Sequence, residues 1–281
     1  MKKIGQMILI SIAVALTGCA STQKPITYNP EKSRALNLVN AAGIGSTLKD
    51  TKLPQDTVNT LMKSDAADLS FALSGFGAPL PGLSGLNTAG LNLLATVLAP
   101  EDAAARNSIF GWMPEDFAQG KDPKKAFMNE LEKAFEHALA DRGFEVIKHY
   151  SNDKSILVLS FINDKLKCPS PETITNNQKF CSLTLYVDDY ELENPPSFIG
   201  KETYPSFHFS AGNINNTRFR FKKNKNSNFN EFEIVESASS YLPDWAFIYL
   251  APKMIEMDNK QKNPVPIVFE KGKALYFVTT E

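Results

Sequence analysis

The chain has 281 residues, a formal net charge of −1, and 43% hydrophobic against 22% charged residues. This length is enough for one large domain or two small ones with a full hydrophobic core. The near balance of 30 basic and 31 acidic side chains excludes the class of strongly basic proteins that bind nucleic acid through their net charge. We therefore expect no nucleic-acid partner.

The first 18 residues have the pattern of a targeting segment. Lys2 and Lys3 precede a mostly apolar run, 4–16, and small residues follow it. This run is shorter than the roughly 20 apolar residues that a membrane-spanning helix needs. A basic start, a short apolar run and small residues are typical of a secretory signal peptide, so 1–18 is expected to be removed.

The run 16–19, Leu-Thr-Gly-Cys, resembles the lipobox of bacterial lipoproteins. The resemblance implies cleavage before Cys19, a diacylglycerol on its sulfur and an acyl chain such as palmitate on the new amine. Two lipid chains already anchor a protein stably. An Asp directly after the lipidated cysteine resembles an inner-membrane retention signal. This chain has Ala20 at that position, which favours the outer membrane. The alternative is an ordinary secretory signal with an incidental cysteine.

The cysteine count agrees with this anchor. The chain has three cysteines, so a lipid on Cys19 leaves Cys168 and Cys181 as an even pair. In an oxidising compartment such a pair is expected to form a disulfide, and two unpaired thiols are the alternative. A metal site is less favoured because neither cysteine has a CxxC partner or a nearby histidine. We expect no metal and no other cofactor.

The N-terminal half is predicted to contain a tether and short helices. Residues 19–30 are polar and interrupted by prolines, which is typical of a tether. In the predicted helical segment 31–116, Asn29 would cap a first helix with Pro30 as its first residue, and Pro54 would open a second.

An uncharged stretch lies inside this segment. Residues 69–100 contain no charged side chain, and their glycines and prolines exclude one continuous spanning helix. Two short helices, 65–74 and 87–99, are the predicted structure. They would form either a buried hairpin or a surface that inserts into a membrane or packs against another subunit.

The C-terminal half, 117–281, is predicted to be an α+β domain. A long helix is expected to begin at Asp122-Pro123 and to stop at Gly143, because apolar residues recur at i, i+4. We predict strands at 144–150, 156–162, 182–187, 207–210, 217–223 and 229–235, a short helix over 242–250, and a hairpin of 265–270 with 274–280. The strand 156–162 is nearly all apolar, so it is expected to be covered on both faces. The predicted fold is α+β, with short N-terminal helices and then a long helix packed on a mainly antiparallel sheet.

A basic strand is the main candidate for a binding site. Arg218, Arg220 and Lys222 alternate with phenylalanines, so the cations should share one side of the strand. One interpretation is an edge strand that basic residues protect from unwanted pairing. The other is an anion-binding face for lipopolysaccharide phosphates or an acidic partner.

Catalytic motifs are weak in this sequence. The three histidines, His137, His149 and His208, do not lie in HExxH or beside a cysteine, and no GxSxG run marks a nucleophile. Acidic residues at 188–193 match no calcium-loop pattern, so a solvated turn is expected there.

These patterns favour a non-catalytic, lipid-anchored protein of the outer membrane. We expect it to face the periplasm, with the cell surface as the other option, and to bind protein partners of the envelope. A structural subunit or assembly factor of a secretion, conjugation or pilus complex is the leading hypothesis. The alternatives are a periplasmic binding module for an anionic envelope ligand and an envelope hydrolase.

Overall fold

The computed structural model describes residues 26–45, 47–63, 103–170, 180–200, 204–212, 217–224, 226–252 and 266–281. The predictions for the signal peptide 1–18, for Cys19 and for the uncharged segment 69–100 lie outside these ranges. Within them, no helix is both long and apolar enough to cross a membrane.

The described residues form a mixed α+β fold around one large antiparallel sheet, which confirms the predicted fold class. The helices are α1 (Arg34–Ala41), α2 (Gln55–Lys63), α3 (Pro123–Ala140) and α4 (Glu231–Tyr241). The strands are β1 (Thr51–Leu53), β2 (Ser108–Pro114), β3 (Glu145–Tyr150), β4 (Ile156–Ile162), β5 (Ser182–Tyr186), β6 (Glu191–Leu192), β7 (Ser206–Phe209), β8 (Arg218–Lys222), β9 (Ala246–Leu250), β10 (Ile267–Glu270), β11 (Lys273–Tyr276) and β12 (Val278–Thr280).

The large sheet has the strand order β11-β10-β9-β2-β8-β5-β4-β3. Strand β7 pairs with the far end of β2, and β6 pairs with β7. All of these pairings are antiparallel. The predicted C-terminal hairpin is present as β10 and β11, but its second strand ends at Tyr276, and β12 pairs in parallel with β1.

The two faces of the sheet carry different helices. Helices α3 and α4 pack in a cluster with side chains such as Leu183, Phe219 and Ile248, and we call this side the helical face. Helix α1 packs in a second cluster, with Phe110 and Tyr249, on the opposite side. Side chains alternate between the faces along each strand, which is why neighbouring residues fall into different clusters.

Helix α3 shows how local sequence signals set its position. Asp122 accepts a hydrogen bond from the backbone N–H of Lys124, and Pro123 occupies the first turn. Phe127, Leu131 and Phe135 are fully buried along one stripe of the helix. The backbone at Gly143 has a φ of +71°, a conformation that glycine adopts without strain just after a helix.

The start of α1 differs from the prediction. The helix begins at Arg34, with the Ser33 hydroxyl accepting a hydrogen bond from the N–H of Leu36. Asn29 is therefore not the cap. Its backbone N–H instead donates to the side chain of Asn37, which is buried and also bonds back to the Asn29 carbonyl. This exchange folds the chain into a turn before the helix.

Two predicted elements in the C-terminal half are wrong. Residues 229–235 were expected to form a strand, but helix α4 begins at Glu231 because the Asn230 side chain caps it. Residues 242–250 were expected to start a helix, but Ala246–Leu250 is strand β9, buried at every position. An all-apolar run has no period that distinguishes a helix from a strand. Residues 246–250 form a strand because they pair with β2 and β10.

Strand β2 falls inside the segment 31–116 that was predicted to be helical. It lies in the interior of the sheet, where β9 pairs with one edge and β8 and β7 with the other. The predicted boundary between 116 and 117 therefore separates β2 from the strands with which it pairs. The pattern Ser-Ile-Phe-Gly-Trp-Met-Pro gives no alternation, since β2 is buried on both faces.

We predict that Gly111→Ala lowers the free energy of unfolding by about 3 kcal/mol, because overpacking a tight backbone contact is destabilising. A Cβ at Gly111 would lie 2.5 Å from the carbonyl oxygen of Trp245, where β2 meets β9. Chemical denaturation measures the change. Gly120→Ala is the control: its Cβ would meet nothing within 4 Å, and only its φ of +71° costs about 1 kcal/mol. Equal losses in both variants would contradict this interpretation.

Candidate functional site

One half of the sheet lacks a described helix on the side that carries α1. Helix α1 packs near β10 and β11, and no described helix lies over β3, β4, β5 and β8 on that side. We call this surface the open face. Its members, read from the strand register, are Glu145, Ile147, His149, Ile156, Val158, Ser160, Ile162, Ser182, Thr184, Tyr186, Arg218, Arg220 and Lys222.

The centre of the open face is apolar. On β4, the side chains of Leu157, Leu159 and Phe161 point to the helical face and are at most 1% exposed. The alternate residues Ile156, Val158 and Ile162 point to the open face and are only half-buried. The prediction that this strand is covered on both faces holds for Ser160, which is 3% exposed, and only in part for Ile156, Val158 and Ile162. Half-buried aliphatic side chains on a sheet can form part of an interaction site.

The basic strand β8 borders this apolar centre. Strand β8 lies between β5 and β2, so the interpretation as an edge strand is wrong. Its phenylalanines are buried on the helical face, whereas Arg220 and Lys222 are exposed and Arg218 is half-buried on the open face. We call these three cations the basic row. At two-residue spacing along a strand the row spans about 13 Å.

Aromatic rings position both ends of the basic row. The Arg218 guanidinium carbon lies 4.8 Å from the ring centre of Tyr186, and the Lys222 Nζ lies 4.6 Å from that of Phe180. Arg220 lies between them, opposite Thr184 on β5. Such cation–π contacts contribute about 0.5–1 kcal/mol each at exposed sites, enough to favour one orientation of each cation.

Acidic side chains are few among the described residues of the open face. Among the face members named above, Glu145 is the one acid, and it lies on β3, three strands away from β8. With about 4.8 Å between strands, this separation exceeds the screening length at physiological salt. The exposed cations of the row, Arg220 and Lys222, therefore lie far from this carboxylate.

The disulfide lies directly beside this site. The sulfur atoms of Cys168 and Cys181 are 2.07 Å apart, which confirms the predicted pairing. Both cysteines are fully buried within the cluster of the helical face. Cys181 separates Phe180, the ring under Lys222, from Ser182, where β5 begins. The crosslink thus fixes the entry to β5 and the ring that orients one cation.

The histidines and the acidic turn do not assemble into a catalytic site among the described residues. His137 stacks on Tyr241, His149 is exposed on the open face, and His208 is buried against Trp112. Of the acidic residues at 188–193, Asp189 pairs with Lys124 at the start of α3. The described residues contain no group of three side chains placed to hold a metal ion.

A charged cluster on the helical side joins α3 to β3. The Glu132 carboxylate accepts hydrogen bonds from Tyr150 and from Lys148, whose ammonium also contacts Glu136. Burial, followed by the hydrogen bond to Glu132, raises the pKa of Tyr150 to about 12. The hydrogen bonds and ion pairs of this cluster link α3 to β3, so we assign it a structural role.

Glu193 and His208 form a second structural pair, at the edge of the sheet. The His208 Nδ1 lies 2.6 Å from a carboxylate oxygen of Glu193. The hydrogen bond from His208 lowers the pKa of the Glu193 carboxyl from its usual value of 4.5. Because the folded state favours the ionised carboxylate, this contribution to stability is present above the usual pKa. It is lost as the pH falls through the lowered value.

We predict that Glu193→Gln lowers the free energy of unfolding by about 1 kcal/mol at pH 7. The difference from the unmodified chain should shrink as the pH falls from 4.5, the usual pKa of this carboxyl, through its lowered pKa, because the carboxylate is then protonated and both chains lack the charge. Urea unfolding across this pH range measures the difference in the free energy of unfolding between the two chains. Asp189→Asn is the control, since its ion pair is 88% exposed on the Asp side and should contribute little at any pH. A difference that is independent of pH would contradict the prediction.

Sequence reasoning identified the basic row but missed its surroundings. The ring partners Phe180 and Tyr186 were not predicted as part of the site, although Tyr186 lies on the alternating strand whose one face was expected to be buried. The apolar centre was missed because 156–162 was interpreted as core. Cys19 lies outside the described residues.

Comparison with known proteins finds no matching family model, no matching curated protein and no matching solved structure.

Proposed function

We propose that this chain is a non-catalytic, lipid-anchored protein of the outer membrane that faces the periplasm. In this proposal Cys19 carries the lipid, on the lipobox resemblance of 16–19. The protein serves as a structural subunit or assembly factor of an envelope complex. The choice of a secretion, conjugation or pilus complex rests on analogy alone.

The open face is the observation that supports a binding role. A structural subunit needs a permanent contact surface, and the open face combines half-buried aliphatic side chains with the basic row. Exposed apolar surface bordered by charge is typical of a site that another component covers. Its residues offer apolar contacts and the positive charge of Arg220 and Lys222.

A second candidate function is a binding module for a soluble anionic envelope ligand. The basic row favours this candidate, because its cations are held at regular spacing by Tyr186 and Phe180. Regularly spaced cations match repeated phosphates or carboxylates.

Purification of the tagged, lipidated full-length protein from detergent extracts tests the structural role. We expect it to migrate as a high-mass complex and to retain specific envelope proteins after washing. The matched control is Cys19→Ser, which removes the anchor and should lose these partners. A wild-type protein that purifies as a monomer without partners would contradict the structural role.

A further inference from the structure

Strand β3 is an edge of the large sheet, and half of its backbone groups point out of the sheet. It is the last strand in the sheet order, and among the described residues β4 is its one partner strand. Val146 lies opposite Phe161, whose N–H donates to the carbonyl of Cys181, away from β3. In an antiparallel pair, opposed residues alternate between those that exchange hydrogen bonds and those whose N–H and C=O groups point away. The backbone groups of Val146, Lys148 and Tyr150 therefore point away from β4.

The edge of β3 lacks the features that usually prevent the addition of another strand. Natural edge strands are protected by short length, by proline, by a bulge or by charged side chains such as lysine. Strand β3 has six residues and no proline, and its register with β4 is continuous. Its one lysine, Lys148, is held by Glu132 and Glu136 of α3, with N–O distances of 2.9 and 2.8 Å. That ammonium is directed at α3 and does not guard the edge.

The exposed side chains of β3 suit pairing with a second, antiparallel copy of the same strand. With a twofold axis through Ile147, Glu145 of each copy lies opposite His149 of the other. Both residues are exposed, and neither side chain forms a hydrogen bond or an ion pair within the described part of the chain. Opposed side chains on paired strands have Cβ atoms about 5 Å apart, so the carboxylate and the imidazole meet.

The same register also pairs the backbone. Val146 of one copy lies opposite Lys148 of the other, and the N–H and C=O groups of both point outward, so each such pair exchanges two hydrogen bonds. The twofold symmetry gives about four hydrogen bonds between the two backbones. An axis through Lys148 would instead oppose two lysines, and like charges directly opposite each other are unfavourable. The axis through Ile147 is therefore the favoured register.

We propose that two copies of this chain pair through β3, antiparallel and about a twofold axis at Ile147, so that their sheets join into one. A contact of this kind uses the same surface on both copies, so it closes as a dimer and leaves no free β3 edge. Self-association goes beyond the proposed function and does not depend on the lipid anchor. A different protein that adds its own strand to β3 is the competing occupant.

Cysteine crosslinking of the full-length protein, in cell envelopes and after purification, tests the pairing. Ile147→Cys places two thiols on the axis, at a Cα separation that a disulfide can bridge. Under mild oxidation, the yield of covalent dimer on a non-reducing gel should be at least about fivefold above that of the control. Asn59→Cys is the control, because Asn59 is exposed on α2, which packs near β11 at the other end of the sheet.

Two further changes in the Ile147→Cys chain separate strand pairing from chance collision. Val146→Pro removes an N–H that points away from β4, so it should reduce the crosslink about tenfold and leave the pairing of β3 with β4 intact. Glu145→Lys opposes a lysine to His149 and should reduce the crosslink about threefold. Adding His149→Glu to Glu145→Lys should restore it, because opposite charges then meet again. A loss of folding in one variant cannot imitate this rescue.

Equal crosslinking of Ile147→Cys and Asn59→Cys would overturn the pairing. Crosslinking at Ile147→Cys that does not respond to either charge variant would overturn the proposed register. An adduct of Ile147→Cys with a different protein in cell envelopes, without a covalent dimer there or after purification, would also overturn the proposal and assign the β3 edge to that protein. None of these results depends on whether Cys19 carries a lipid.

Discussion

Replacing Cys19 by serine is expected to abolish incorporation of labelled palmitate and to remove the protein from the outer-membrane fraction. The expected effect is nearly complete, because each buried methylene of an acyl chain contributes about 0.8 kcal/mol and two chains anchor stably. Metabolic labelling followed by membrane fractionation measures both effects in one experiment.

Ser21→Ala is the matched control for this experiment. It changes a residue of the predicted tether and leaves 16–19 intact, so labelling and fractionation should match those of the unmodified chain. Any weak association that the Cys19→Ser variant retains through the basic row should disappear at high salt, since exposed charges are then screened. Palmitate incorporation that persists in Cys19→Ser would contradict the lipobox interpretation.

Removing the disulfide is expected to have a large effect on stability. Cys168→Ala combined with Cys181→Ala should lower the free energy of unfolding by about 3 kcal/mol, the value for a short closed loop. For a domain of this size the melting temperature should fall by about 6–12 °C. Both cysteines are fully buried, so the lost packing acts in the same direction. Thermal and chemical denaturation measure the change.

Reduction of the unmodified protein provides the control, because it opens the same crosslink without changing the core composition. We expect reduction to give most of the loss seen in the double variant. A double variant within about 1 kcal/mol of the unmodified chain would contradict the stabilising role. Since Cys181 adjoins Phe180, the double variant should also weaken the contact between that ring and Lys222.

Local signals in the sequence were sufficient where they agreed with one another. For α3 the cap at Asp122, the proline after it, the i, i+4 stripe and the stop at Gly143 all indicate the same helix. Helix α4 has an equally good cap in Asn230, but the residues around it also alternate between apolar and polar, and this alternation favours a strand. The periodicity alone did not separate the two interpretations over so short a stretch.

The fully buried strands depended on tertiary structure. Strands β2 and β9 have no polar alternation, and they are strands because they pair with each other from Ser108 to Gly111. For the open face, alternation along β8 correctly grouped Arg218, Arg220 and Lys222 on one side. Whether the opposite side of β4 is covered depends on where α1 packs, which no local pattern of residues 156–162 encodes.

Photo-crosslinking from Thr184 in living cells tests the central claim most directly, namely that the open face is covered by an envelope component. Thr184 lies half-buried beside the basic row, opposite Arg220, so a crosslinker there reports on any occupant. Lys133 on α3, on the other side of the sheet, is the control position. We predict adducts to an envelope component from Thr184 and none from Lys133. An anchored protein that gives no adduct at Thr184 would contradict the claim.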